Sequence, residues 1–422
     1  MRLQSFVQVK EDSHFPLENL PFGIFSIRNE PQLRWRAGSA IGDYVIDLAE
    51  LEKEDFFASA GISGQIFSQD SLNEFMSLGR MSWRKVREIL TELLITDNPR
   101  IRDDAELRKR VLIPMGEVQM GLPARIGDYT DFFVSKYHTE NCNEIFRGYR
   151  KINDNWYQLP VGYHGRASSI VVSGTEVRRP RGQYLGEDGQ PEQGACKKLD
   201  FELEMACLIG PGNNQGESIP VEGAEDHIFG LVIMNDWSAR DIQKWEAVPL
   251  GPFNGKNFAT SISPWVVTLD ALEPFRCEAP PRDRPVLPYL HMDRPPSYNI
   301  ELRVDIAPKE RPSEPRTVSK SNFRHLYWTL PQFVAHHSRG GCNLRPGDMM
   351  GTGTISGQDA GSYGCMLELS WGGSKDVPVG DGLSRRFLED GDTVVLSGFC
   401  QGDGFRVGFG ECRGLVLPAR EE

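Results

Sequence analysis

The chain has 422 residues, 25% charged and 39% hydrophobic, with a net charge of −12. That length supports a large core in two or three folding units. The acidic balance argues against a nucleic-acid surface, which needs clustered Lys and Arg, but leaves room for an anionic small substrate held by local cations. No apolar run reaches the ~20 residues that span a bilayer. The N-terminus, M-R-L-Q-S-F-V-Q-V-K-E-D, lacks the apolar stretch of a signal peptide. A cytoplasmic protein with no membrane partner is therefore expected. Eight cysteines, at 142, 196, 207, 277, 342, 365, 400 and 412, include no C-x-x-C pair and read as reduced thiols.

Residues 1–115 form the first unit. F-G-I-F-S-I (22–27) and the run 33–48 read as strands joined through a Gly-containing turn. Ser71-Leu72-Asn73-Glu74 has capping-box form, and Ser82 precedes W-R-K-V-R-E-I-L-T-E-L-L, apolar at helical spacing. The charged stretch 96–110 reads as a linker or a surface helix. No catalytic constellation is evident in this unit.

The second unit, 116–422, is rich in short strand patterns at 168–174, 298–307, 366–371 and 392–400. The spacing predicts a mostly β, α+β unit of sandwich or roll type. Proline-rich 274–296 reads as an irregular loop, and Thr329 as the cap of a helix closed by glycines, with His336 and His337 near its end. G-T-G-T-I-S-G (351–357) and G-D-G-F-R-V-G-F-G (402–410) lack the helix and Lys-Ser/Thr of a phosphate loop, and read as tight turns beside a cleft.

The most informative stretch is 199–260. In L-D-F-E-L-E-M-A, apolar residues alternate with Asp200, Glu202 and Glu204, a period of two that predicts a strand with its carboxylates on one face. Three acids in a row repel one another unless a cation sits among them. Phe229–Met234 reads as a short buried strand, with Asn235 or Asp236 capping a following helix. On that helix Asp236, Arg240 and Gln243 share a face, which serves equally as a ligand site or as a capped, solvated surface. With Asp131 in G-D-Y-T-D-F-F, the acids Glu202, Glu204 and Asp236 make an oxygen-only ligand set that selects Mg²⁺ or Ca²⁺. His138 suits water activation, with Glu368 of M-L-E-L-S-W as its orienting acid on a strand. Arg240, Gln243 and Lys256 could stabilise an oxyanion or enolate.

G-D-Y-T-D-F, L-P-V-G-Y-H-G-R-A-S-S, E-L-E-M-A, M-N-D-W-S-A-R-D-I-Q, I-S-P-W-V-V, G-T-I-S-G and M-L-E-L-S-W together resemble the fumarylacetoacetase (fumarylacetoacetate hydrolase) family, in register over nearly the whole chain. The resemblance implies an N-terminal SH3-like barrel, a mixed β-roll catalytic domain and a homodimer. It implies hydrolysis of a carbon–carbon bond in a β-diketone acid, fumarylacetoacetate plus water giving fumarate and acetoacetate, the last step of tyrosine degradation. It places Asp131, Glu202, Glu204, Asp236, Lys256 and Thr260 in the metal site, and His138 and Glu368 at the water. It puts Arg240, Gln243 and Lys256 at the tetrahedral intermediate, and Arg147, Tyr163 and Thr354 at the substrate. Phe133 and Ala247 stand where the family pattern carries substrate-contacting tyrosines, and Ala259 where it carries glycine. These departures motivate an alternative, a relative acting on another β-diketone or 2-oxo acid by hydrolysis, decarboxylation or tautomerisation. A non-catalytic metal-binding scaffold is the reading from outside enzymology. It gives no use for His138, Glu368, Arg240 and Lys256.

Overall fold

Three large β-sheets organise the computed structural model, which describes residues 3–30, 32–62 and 64–421. The first sheet is antiparallel, in the order Leu112–Pro114, Tyr44–Asp47, Arg36–Ile41, Phe22–Ile27, Val118–Met120. Its two edge strands are consecutive in the chain, joined through Met115–Glu117. Such a link reaches about 14 Å, less than the ~19 Å that four inter-strand gaps span in a flat sheet, so the sheet curls towards closure. That is the SH3-like architecture, with its last strand beyond residue 115.

The helices of this region differ in detail from expectation. Arg80–Leu94 starts two residues before Ser82, behind Gly79 in a positive-φ conformation. No capping box forms at Ser71–Glu74: Leu72 occupies the N-cap of Asn73–Ser77. Asn73 instead donates to the Arg125 and Pro346 carbonyls and accepts from the Arg125 amide, tying the helix to the second unit. The charged stretch 96–110 forms two short helices, Pro99–Arg102 and Ala105–Val111, capped by Asn98 and Asp104.

The central sheet runs Gly162–His164, Tyr129–Phe132, Met349–Gly351, Leu203–Ile209, Ile228–Asp236, Thr260–Ile262, Ile170–Val172, with Val267–Thr268 also paired to Ile228–Asp236. Its pairings are antiparallel except Met349–Gly351 with Tyr129–Phe132 and Thr260–Ile262 with Ile170–Val172. Residues 228–234 are apolar throughout because both faces are covered. Phe229, Val232 and Met234 join the core shared with the first unit, where Phe229 meets Trp83 and Phe75 at ring separations of 5.1 and 5.7 Å. Leu231 and Ile233 point the other way, into a core with Leu302, Val304 and Leu396 of the third sheet. That sheet runs Arg316–Asn322, Glu301–Ala307, Thr393–Gly402, Phe405–Leu417, Val177–Arg178.

Three expectations in this unit are corrected. Residues 366–371 do not form a strand; Met366–Leu369 is a short helix, because the Asp200 carboxylate accepts from the Met366 and Leu367 amides and so caps it from a distance. Stretch 402–410 turns the hairpin between Thr393–Gly402 and Phe405–Leu417 and does not border the cleft described below. The acidic strand is broken, into Leu199–Asp200 and Leu203–Ile209. Leu203 pairs with Asn235 and Asp200 with Ser238, so Trp237 occupies a step in the partner strand that has no counterpart ladder. At the break, the Asn235 side chain accepts from the Glu202 amide (3.0 Å), replacing a ladder bond. By contrast, the Thr329–Gln332 capping box is formed and starts Leu330–Ser338.

Trp237 is fully buried against the third sheet, and its indole donates to Ser261 Oγ at 2.9 Å. Trp237→Ala should cost about 3–5 kcal/mol in urea unfolding; a loss below about 1 kcal/mol would show that the step at the strand break is not held by this side chain.

Candidate active site

Asp131 is the penultimate residue of the strand Tyr129–Phe132, Glu204 the second of Leu203–Ile209, and Asp236 the last of Ile228–Asp236. The register sets these ends side by side, so donor oxygens of Asp131, Glu204 and Asp236 lie within 4.8 Å of one another. Two glycines make the room. A Cβ at Gly351 would stand 2.5 Å from Asp131 Oδ1, and Gly353, at φ +72°, turns its amide towards the same oxygen at 3.1 Å.

All four acids are buried. No donor group among the described residues reaches either Glu204 oxygen, and the carboxyl that Glu204 meets is that of Asp131. Burial, then the charge of neighbouring acids, raises the pKa of Asp131 and Glu204 well above the carboxylate range. Burial likewise raises Asp236, against the pull of Lys256. Glu202, on the break in the strand, behaves oppositely. Burial works against its charge, but Lys256 and Arg240 outweigh it and hold the carboxyl far below its ordinary value. A set of hard oxygen donors, one with two orphaned lone-pair groups, fits Mg²⁺ or Ca²⁺.

The sequence places Asp236, Arg240 and Gln243 on one helix; the structure places Asp236 on the strand and starts the helix at Arg240, with Ala239 at the N-cap and no side-chain cap. The residues nevertheless converge. Arg240 bridges Asp200 (Nε to Oδ2, 2.8 Å) and Glu202 (Nη2 to Oε1, 2.8 Å), and donates to Gln243 Oε1 at 3.1 Å. Lys256 Nζ reaches Asp236 Oδ2 at 2.7 Å and also bonds Glu202. Buried among these acids, its pKa is lifted by Asp236 and Glu202 despite desolvation. An ammonium has no lone pair to offer, so Lys256 is a counter-charge at the cluster and not a ligand. Thr260 Oγ1 sits 3.4 Å from Asp236 Oδ1, and Tyr163 donates to Asp236 Oδ2 at 2.9 Å.

His138 lies in the first turn of Lys136–Arg147, behind Ser135, which accepts from its amide. Nδ1 meets Glu368 Oε2 at 2.7 Å, and both residues are buried. Asn141 and Ser356 donate to the same carboxylate, at 2.8 and 2.7 Å. Burial opposes the Glu368 charge, but His138 and these donors hold its pKa low. Burial also opposes a charged imidazole, yet Cys142 and Glu368 outweigh it and raise His138 well above its usual value.

A cleft of about 480 Å³ joins the parts. Asp131, Glu202, Glu204, His138, Arg240, Gln243 and Lys256 line it, as do Phe133, Arg147, Tyr163, Ala247 and Thr354. Thr354 Oγ1 is buried without a hydrogen-bond partner among the described residues, and the Phe133 ring stands edge-on to His138 at 5.3 Å.

Family models match both parts of the chain: "Fumarylacetoacetase N-terminal" over residues 18–123 and "Fumarylacetoacetate (FAA) hydrolase C-terminal" over 132–417. The chain belongs to the fumarylacetoacetate hydrolase family. It is 54% identical over 421 residues to the fumarylacetoacetase of Oryza sativa subsp. japonica, covering 99% of this chain and 98% of that one. Identity to fumarylacetoacetase of Homo sapiens is 52% over 419 residues, covering 98% and 99%. A solved fumarylacetoacetate hydrolase from psychrophilic Exiguobacterium antarcticum shares the fold, with TM-score 0.54 at 18% identity over 95% of this chain and all of that one.

In this family member, several supporting residues escaped the sequence reading. Asp200 was legible as an acid on the shared face, but its partners, Arg240 and the 366–367 amides, lie far along the chain. Asn141 and Ser356 gave no signal, because an amide and a hydroxyl become informative only once Glu368 is in place.

The raised carboxyls carry a sign. Without an ion, the folded chain keeps protons that the unfolded chain releases near about pH 4. Ion-free stability therefore falls as pH rises above that range, and an ion that displaces those protons stabilises more at higher pH. The melting-temperature gain on adding Ca²⁺ or Mg²⁺ to chelator-treated protein should grow between about pH 5 and about pH 8; a flat or shrinking gain would contradict the cluster as the binding site.

Proposed function

We propose that this chain hydrolyses fumarylacetoacetate to fumarate and acetoacetate, the last step of tyrosine degradation, with Mg²⁺ or Ca²⁺ held by Asp131, Glu202, Glu204 and Asp236. One observation carries the reading: a buried carboxylate with both oxygens orphaned, Glu204, opens into the same cleft as a histidine held by a buried acid. The relatives named above supply the substrate.

A ketone is a weak electrophile towards water, and its leaving group is a carbanion. The bound ion supplies positive charge that polarises the diketone and favours neutral over protonated His138. His138 takes the proton of the attacking water while Glu368 holds its Nδ1–H and stabilises the imidazolium. Asn141 and Ser356 keep Glu368 ionised and fixed. Arg240, Gln243 and Lys256 face the oxyanion, and their own hydrogen bonds and ion pairs hold them in place beforehand. Arg147, at the end of the His138 helix, lines the cleft and offers its guanidinium to the anionic substrate, with Thr354 as a hydroxyl partner and Tyr163, whose hydroxyl donates to Asp236, forming the wall beside it.

Phe133 and Ala247 present no hydroxyl to this cleft, and with Phe146, Val161 and Leu250 they make one wall apolar. That wall favours, as a second reading, a different diketo acid with an apolar end. The exposed Val248, Leu250 and Phe253 on the rim support a homodimer that would cover them. Among the described residues no helix is long and apolar enough to cross a membrane; we place the protein in the cytoplasm. In this reading the units 1–115 and 116–422 meet close to the last strand of the curled sheet.

Purified protein should hydrolyse fumarylacetoacetate and stop on chelation. His138→Ala should lower kcat by ~10²–10⁴ with ion binding retained, whereas Asp236→Ala should lose both. Unimpaired turnover in His138→Ala would remove the base from the scheme. Preference for another diketo acid by a wide margin would favour the second reading.

A further inference from the structure

The wall of the cleft carries a thiol that the hydrolysis does not use. Cys142 lies one turn beyond His138 on Lys136–Arg147 and is half-buried. At spacings of four along this helix, His138, Cys142 and Phe146 present one face to the cleft, and Arg147 ends it. Nδ1 of the imidazole is committed to Glu368 at 2.7 Å. Cys142 Sγ lies 3.4 Å from the other nitrogen, Nε2, and 3.7 Å from Nδ1. The sulfur is therefore beside the atom that takes the proton of the attacking water. A thiol next to an imidazole is readily converted to thiolate, its nucleophilic form. The other thiols are placed differently. Cys196, Cys207, Cys365, Cys400 and Cys412 are buried, and Cys277 and Cys342 do not line the cleft. A separate observation marks the space before Cys142 as built for a ligand. Thr354, 2% exposed, lines the same cleft with a hydroxyl that has no hydrogen-bond partner among the described residues.

We propose that Cys142 is a covalent modification site: its thiol adds to the double bond of an α,β-unsaturated keto acid held in the cleft, and the thioether so formed switches the enzyme off. The class of ligand rests on the proposed substrate; the placement of the thiol does not. In fumarylacetoacetate the alkene is bonded directly to the carbonyl that becomes a carboxylate of fumarate. Its carbons lie one and two bonds from the atom that receives the water activated by His138, and the sulfur stands against that same imidazole. The addition balances without an oxidant or a leaving group. The thiol proton passes to His138, and sulfur bonds to the alkene carbon remote from the ketone. The π pair moves into an enolate, whose carbon then recovers the proton from the imidazolium. Thiol and water thus compete for one base. Arg147 meets the carboxylate of the ligand, and Phe133, Phe146, Val161 and Leu250 accept its carbon chain. Once formed, the thioether fixes the ligand over His138 and keeps water from it.

The test uses full-length protein with reduced thiols, saturating Ca²⁺ and trans-4-oxopent-2-enoate, a keto acid with the conjugated alkene and no diketone to cleave. Adducts are located by peptide mass, with the exposed Cys342 as internal reference. Cys142 should be labelled roughly tenfold or more faster than Cys342. That ratio should fall in His138→Ala, and also with but-3-en-2-one, which lacks the carboxylate. Hydrolysis should be lost in step with labelling, whereas Cys142→Ser should keep its own starting rate throughout the incubation. Labelling of Cys142 no faster than of Cys342, or an unchanged ratio in His138→Ala, overturns the site. An unchanged ratio with but-3-en-2-one overturns the keto acid as its ligand. Activity that survives complete labelling of Cys142, or that is lost equally in Cys142→Ser, overturns the switch. Should Cys142→Ser fail to fold, labelling and activity of the unaltered chain decide. The labelling is read by mass and gives its answer whether or not fumarylacetoacetate is the substrate.

Discussion

Burying like charges together is the constraint on which this structure turns. Five carboxylates, Asp131, Asp200, Glu202, Glu204 and Asp236, share one buried region with two cations, Arg240 and Lys256. If all are ionised, three negative charges remain uncompensated, a state that a low-dielectric interior does not tolerate. Asp200 and Glu202 are satisfied by the cations and by backbone amides. The residual charge falls on Asp131, Glu204 and Asp236, whose carboxyls are all pushed towards protonation. A divalent ion relieves that stress and exploits the same donors, which is why the cluster is better understood as a binding site than as structural ion pairing.

The fold is shaped to deliver those acids. Covering the central sheet on both faces, by the curled N-terminal sheet with its helices and by the third sheet, keeps water from the strand ends where the acids sit. Breaking the acidic strand at Phe201–Glu202 separates two tasks that one straight strand could not perform. Glu204 stays in register with the cluster, while Asp200 is redirected to cap the helix carrying Glu368 and to anchor Arg240. The ion cluster and the His138–Glu368 pair are thus braced against each other through one carboxylate. A shift of either should be felt by both.

Much of the site could be read along the chain because its acids come in local patterns. The period-two alternation identified Glu202 and Glu204 as pointing to one side, and this survived even though the strand itself did not. Asp236 joins the carboxylate cluster and Glu368 meets His138, though neither has the local structure that the sequence pattern predicts. Asp236 belongs to the strand because Asn235 and Thr260 continue the pairing past Met234, and Glu368 sits on a helix because a cap arrives from residue 200. Asn141 and Ser356 were invisible for a common reason. Their significance lies in what they touch across the fold, and single polar residues without periodicity announce nothing.

The central claim is that one hard divalent ion belongs among Asp131, Glu202, Glu204 and Asp236. The direct measurement is calorimetric titration of Ca²⁺ into chelator-stripped protein and into Glu204→Gln, which keeps the shape of the side chain and removes the charge that has no partner. The account predicts one ion per chain with release of protons, and binding weakened by roughly an order of magnitude or more in the variant. Absence of binding to the unaltered chain, or equal affinity in Glu204→Gln, would contradict it.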